Sequence, residues 1–143
     1  MPTFSDQIRE NQIILIASIA VSQANVGSRR SYRALLDTGA QLTMVSDRVV
    51  QEVGLQAIGN TQIVPVTGDS VVTEKYRVTV DIPINTPVTS AEGDVTLERT
   101  LRGMDMEVAR LPYEPRNHDV LLGMDFLQGF HLTIYGGMYI LSS

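Results

Sequence analysis

The chain has 143 residues, a length for one domain, and its 43% hydrophobic and 19% charged residues suit a globular protein with a substantial core. Cysteine is absent, which excludes a disulfide framework, a thiolate zinc site and a cysteine nucleophile, and two histidines, His118 and His131, argue against a multi-histidine metal centre. A net charge of −5 is repelled by phosphate backbones and anionic lipid heads, so neither nucleic acid nor a membrane surface is an expected partner.

Residues 1–12 read as a polar N-terminal lead, and residues 13–143 as a single domain. The apolar run IILIASIAV at 13–21 is less than half of the roughly 20 residues a membrane-crossing helix needs. The preceding segment carries Asp6 and Glu10 against a lone Arg9, unlike the basic start of a secretory signal. Extended, the run places Ile13, Leu15, Ala17, Ile19 and Val21 on one face and Ile14, Ile16, Ser18, Ala20 and Ser22 on the other, which predicts a strand covered on both sides. With no signal and no cysteine, the cytoplasm is the default compartment.

A polar turn, NVGSRR at 25–30, leads to a second strand, YRALL at 32–36, making a hairpin. After DTGA at 37–40 come a short strand, LTMVS at 42–46, and a helix-like DRVVQEVGL at 47–55, with Asp47 as its cap and Gly54 as its end. The stretch 61–84 reads as two alternating strands around a Gly-Asp-Ser turn at 68–70. Asn85 to Glu92 is a loop by composition, and VTLERTL (95–101) and MDMEVARL (104–111) are expected to pair across Arg102 and Gly103. A loop at 112–118 precedes DVLLGMDFL at 119–127, an apolar strand end running into a short helix, and FHLTIYGGMYIL at 130–141 closes the chain as a hairpin turning at Gly136-Gly137. The fold class is all-β.

Chemistry concentrates in ALLDTGA at 34–40. Leu35 and Leu36 place Asp37 at the end of a buried strand, where a carboxylate is costly unless it is hydrogen-bonded or shares a proton. Gly39 allows the sharp turn and close backbone approach that follow. On these residues alone, an Asx-turn, with Asp37 merely bonding its own backbone, and an active-site loop are equally good readings. DVLLGMDFL, with its two apolar residues and Gly before a helix, roughly echoes LLDTGA.

Together the two segments resemble the retropepsin-like aspartic proteases, the family of retroviral and retrotransposon proteases and their cellular relatives. The matching residues are Leu35-Leu36-Asp37-Thr38-Gly39-Ala40, a flap at Thr67-Gly68-Asp69, and Leu121-Leu122-Gly123 ahead of Met124-Asp125-Phe126-Leu127. The resemblance implies a closed β-barrel or sandwich with one short helix near the C-terminus, active as a two-fold homodimer. It makes Asp37 the catalytic aspartate of an endopeptidase acting on peptide or protein substrates with no metal and no cofactor. Thr38 would lock the two active-site loops together, Gly39 would present backbone to the substrate and Ala40 would leave room beside it. Gly68 would sit at the flap tip, while Leu121, Leu122 and Gly123 would support the catalytic loop from beneath. No second D-[ST]-G occurs, so each chain would contribute one Asp37.

The resemblance has gaps. Some retroviral enzymes place an acidic residue directly after D-T-G-A and an Arg directly after the later Gly; here these are Gln41 and Met124. The connection 85–117 is long for a minimal viral protease, and viral relatives often interleave their termini in an interface sheet. His118 is expected to be solvated in its loop, His131 to lie in a strand, Asp119 to make a structural turn, Asp125 to begin the second helix, and Met104, Met106 and Met124 to pack. A catalytically weak or inactive module of the same fold that dimerises or binds peptides is the alternative function, and a generic barrel in which DTGA is only a turn is a third.

Overall fold

The computed structural model describes residues 2–22, 28–65 and 68–143. The elements in chain order are β1 (Thr3–Gln7), β2 (Ile14–Val21), β3 (Arg30–Leu36), β4 (Met44–Val45), α1 (Asp47–Val53), β5 (Gly59–Ile63), β6 (Val71–Thr89), β7 (Val95–Arg110), β8 (Val120–Leu122), α2 (Met124–Leu127), β9 (His131–Tyr135) and β10 (Met138–Ser142). Six of them close a barrel: β2 pairs with β3, β3 with β8, β8 with β4, β4 with β7, β7 with β6, and β6 with β2. Closure removes the open edges that a flat sheet would leave. No helix among the described residues is long and apolar enough to cross a membrane.

The apolar run at 13–21 becomes β2, antiparallel to β3 from Ile14–Leu35 to Ile19–Arg30. Leu15, Ala17 and Ile19 point into the core, and Ser18 and Ala20 on the opposite face are buried too, but Ile16 is exposed, so two-sided cover is limited to the middle of the strand. The connecting turn expected at 25–30 lies partly outside the described residues. Ile19, Val78, Val80, Leu122 and Phe126 are fully buried in one continuous core.

The expected polar lead is built into the fold. Its residues Thr3 to Gln7 form β1, which pairs along its whole length with β10 and touches β6 at Thr3–Asn85. Phe4 lies against the core and tilts onto the buried Tyr139 ring, 6.1 Å between centroids. The helix after residue 46 is also capped differently from the expectation. Ser46, not Asp47, is the N-cap, its hydroxyl accepting from the Val49 N–H, while Gly54 ends the helix in the left-handed region as expected.

The largest correction concerns 85–111. Asn85 to Thr89 is not loop but the continuation of β6, and the two strands expected to pair across Arg102-Gly103 are one strand, β7, paired with β6 from Lys75–Ala109 to Thr89–Val95. Pro83 and Pro87 argue for a loop only in a central strand. This stretch of β6 has β7 on one side and only the Thr3–Asn85 contact on the other, an edge on which proline is tolerated. Gly103 serves close approach rather than a turn: a Cβ there would lie 1.8 Å from the Val80 carbonyl oxygen and 2.6 Å from Asp81 Oδ1. Gly103→Ala is therefore expected to destabilise the fold by about 2 kcal/mol through overpacking, read as a lower urea midpoint with unchanged slope.

Candidate active site

Asp37 stands where β3 ends. Strands β3 and β8 run parallel with Ala34 beside Val120, Leu35 beside Leu121 and Leu36 beside Leu122, and the Asp37 N–H continues the pairing by donating to the Leu122 carbonyl at 3.0 Å. The chain then turns. The Ala40 N–H donates to the Asp37 carbonyl at 3.2 Å, and the Gly39 N–H donates to Asp37 Oδ1 at 2.9 Å. That last bond is the carboxylate's only hydrogen bond among the described residues. It makes an Asx-turn, the first of the two readings of this loop, and leaves Asp37 Oδ2 without a hydrogen bond among the described residues. Asp37 and Ala40 are half-buried, and Thr38 and Gly39 are exposed. A carboxyl held by one backbone donor at the mouth of an apolar strand pair is fixed in direction and open to a ligand.

Leu121 and Leu122 are buried beneath this loop, as the sequence pattern requires. Gly123 follows them at a point of contact where any side chain would collide. A Cβ would sit 2.6 Å from the Leu42 carbonyl carbon and oxygen. The next two residues bind the loop directly, the Met124 N–H donating to the Ala40 carbonyl at 2.8 Å and the Asp125 N–H to the Gln41 carbonyl at 3.1 Å.

Asp125 does more than begin a helix. Its carboxylate accepts from the Thr43 N–H at 2.9 and 3.0 Å, from the Thr43 hydroxyl at 2.7 Å and from the Phe126 N–H at 2.9 Å, while the Thr43 Oγ accepts from the Gly123 N–H at 3.1 Å. Thr43 is fully buried. The stretch after the Asp37–Ala40 loop is thus tied to the start of α2 by a closed set of bonds, in a protein where Gln41 and Met124 stand where some retroviral enzymes have an acidic and a basic residue. The only sequence sign of this was a buried-side threonine in LTMVS and an acid two residues after Gly123.

Asp119 makes the structural turn expected of it: it accepts from the Ser46 hydroxyl at 2.8 Å and from the Arg48 guanidinium at 3.1 Å. His118 departs from expectation. It is half-buried, and Nε2 has neither solvent nor a hydrogen-bond partner among the described residues. Burial pushes the imidazole below its ordinary pKa, against the opposing pull of Asp119 and Asp37. The flap expectation falls on the β5–β6 hairpin, which pairs from Gly59–Lys75 to Ile63–Val71. Gly68 adopts φ +94° in its connection, its N–H donating to the Pro65 carbonyl at 2.9 Å, and Asp69 is exposed; Thr67 lies outside the described residues. No group of three or more His, Asp or Glu side chains among the described residues is arranged to hold a metal ion.

A family model described as aspartyl protease matches residues 22–126, spanning β3, the Asp37 loop, the β5–β6 hairpin, β8 and the start of α2. The chain belongs to the aspartyl protease family. The fold agrees with it: the crystal structure of a retropepsin-like aspartic protease from Rickettsia conorii superimposes with a TM-score of 0.56 at 13% identity, covering 97% of this chain and 89% of that one. No curated protein matches this chain. The fold of this aspartyl protease family member is thus retropepsin-like, mostly strand with a closed barrel and, among the described residues, two short helices at the two places where the sequence reads as helical.

Two outcomes follow for the site. Asp125→Ala strands the buried Thr43 N–H and hydroxyl, and is expected to cost about 2–3 kcal/mol in chemical denaturation, with Asp125→Asn recovering part of it. Because the folded His118 pKa is depressed, its contribution to stability is present above the ordinary value of 6.5 and is lost as pH falls through the folded value. His118→Gln should therefore flatten the fall in melting temperature on the acid side of neutrality.

Proposed function

We propose that the protein is a homodimeric aspartic endopeptidase in which two copies bring their Asp37 carboxylates together. The observation that carries this reading is the Asp37–Ala40 loop itself. One carboxylate per chain emerges from a buried parallel strand pair, rigidly backed by Gly123 and Asp125, with Thr38 and Gly39 left exposed beside it. Family membership supports it.

Two carboxylates a few ångströms apart cannot both ionise readily, so they hold one proton between them and titrate as a pair. The ionised Asp37 takes a proton from a water as its oxygen attacks the scissile carbonyl carbon. The protonated Asp37 donates to the carbonyl oxygen and stabilises the charge that develops there. Collapse of the tetrahedral gem-diol breaks the C–N bond. The Asp37 that took the water's proton gives it to the leaving nitrogen, and one gem-diol hydroxyl returns its proton to the other Asp37. This restores the one-proton pair and leaves a carboxylic acid and an amine. No redox partner or metal enters this balance. Thr38 would bind the partner's loop, Gly39 would offer backbone to an extended peptide, and the β5–β6 hairpin with Gly68 and Asp69 would close over it.

Incubating the protein and its Asp37→Asn variant with a complex peptide mixture, from acidic to neutral pH, tests this by mass spectrometry of new termini. Cuts made by the wild type and lost in the variant are the expected result. Peptide binding by both proteins with no Asp37-dependent cut at any pH would instead identify a peptide-binding module.

A further inference from the structure

The long strands β6 and β7 leave the barrel together as a two-stranded arm. From Thr86–Glu98 to Thr89–Val95 their pairs have no third strand beside them among the described residues. A two-stranded ribbon is marginal in water unless one of its faces is covered. One face is covered at the base of the arm, where Ile82 and Ile84 are buried. The other is open. Register and alternation place Leu101, Leu97 and Val95 on it, opposite Pro83, Pro87 and Thr89. These three side chains are 44%, 68% and 66% accessible.

The open face is continuous with the one that carries Asp37. On β3, Leu35 alternates with the core residues Ala34 and Leu36, so it shares a face with Asp37, which prolongs the ladder onto the Leu122 carbonyl. On β2, Ile14 pairs with Leu35 and Ile16 with Arg33, and Ser18 of the same face pairs with Asp81 on β6. Two residues beyond Asp81 on that face comes Pro83, whose partner on β7 is Leu101. An apolar stripe thus runs from the half-buried Leu35 and Ile14 through Ile16 to Leu101, Leu97 and Val95. Its stretch along the arm, from Leu101 to Val95, covers about 20 Å, or about six residues of extended chain.

The charges within the stripe have one sign. Arg33 and Arg99 stand exposed on this face, and neither pairs with a carboxylate among the described residues, whereas Asp81 is taken up by Arg29 at 3.2 Å. The acidic groups of the arm's tip, Glu92 and Asp94, lie beyond Val95. In a chain of net charge −5, two unpaired arginines in an apolar stripe select an acidic, aliphatic ligand. A second copy docked stripe on stripe would bring arginine toward arginine, which like-charge repulsion disfavours. Strand addition is disfavoured too, because Pro83 and Pro87 interrupt the β6 edge and Glu98, Arg99 and Arg102 guard that of β7. We propose that the stripe is an exosite for the protein substrate, binding an aliphatic segment with acidic residues at a distance from the bond held at Asp37. Its assignment to a substrate rests on the endopeptidase reading above, but the binding is measurable without cleavage.

Selecting a random peptide library, displayed on phage, against the Asp37→Asn chain reads this binding directly. Sequences combining Leu, Ile or Val with Asp or Glu should be enriched. Leu97→Ser together with Leu101→Ser should weaken binding of a selected peptide by about tenfold or more, with circular dichroism unchanged. Arg99→Glu should turn the preference from acidic to basic residues, whereas a merely structural Arg99 would leave it acidic. Tyr113→Ser, on the exposed loop after β7, should change neither. With Asp37 intact, peptides joining a selected sequence to a cut site should show a raised KM and unchanged kcat in the Leu97→Ser, Leu101→Ser variant. Asp37-dependent cutting with the same KM in every arm variant would overturn the exosite and leave the proposed function standing. Arm-dependent peptide binding by a chain that never cuts would keep the docking surface and overturn the proposed function. A library yielding no aliphatic, acidic sequence that depends on the arm would refute the exosite outright.

Discussion

The parallel pairing of β3 with β8 is the constraint on which the rest of the site depends. It brings together two apolar segments separated by most of the barrel and makes the Asp37 N–H the last rung of their ladder, on the Leu122 carbonyl. Parallel strands need a long crossover between them. Here the crossover includes the short strand β4, α1 and the two long hairpin strands β6 and β7, and the pairing of β4 with both β8 and β7 helps close the barrel around it. An aspartate at such a junction gains direction from the backbone on both sides without being buried itself.

Rigidity behind the carboxylate comes from a polar network rather than from an ion pair. The Asp125 carboxylate takes the Thr43 N–H and hydroxyl, and Thr43 in turn takes the Gly123 N–H, so each buried donor in this set has an acceptor. A complete set of this kind stabilises one arrangement of the loop, and an incomplete one is costly in the low-dielectric interior. Gly123 contributes by having no side chain, which lets α2 start directly against the Leu42 backbone.

Much of this was legible in the sequence, because the decisive signals are local. Asp37 after Leu35-Leu36, the later Leu121-Leu122-Gly123, the β5–β6 hairpin, the end of α1 at Gly54 and the terminal hairpin at Gly136-Gly137 each depend on a few neighbouring residues. What was missed depends on distant ones. Asn85 to Thr89 has loop composition and becomes strand because β7 supplies a partner along the whole stretch. Gly103 resembles a turn residue and is instead needed where β6 approaches within contact distance. The Thr43–Asp125 pair, 82 residues apart, and the buried Nε2 of His118 have no local signature. The N-terminal residues read as a polar lead because β1 draws its order from β10, at the other end of the chain.

The proposed reaction requires two Asp37 side chains in one catalytic unit. Mixing wild-type chains with Asp37→Asn chains under exchange, and following peptide cleavage as the wild-type fraction is lowered, measures this. If both carboxylates are needed, activity tracks the square of the wild-type fraction, so an equal mixture retains about one quarter of the rate. A linear decline, with half of the rate left in an equal mixture, would mean that each chain cuts alone and would rule out the shared Asp37 pair.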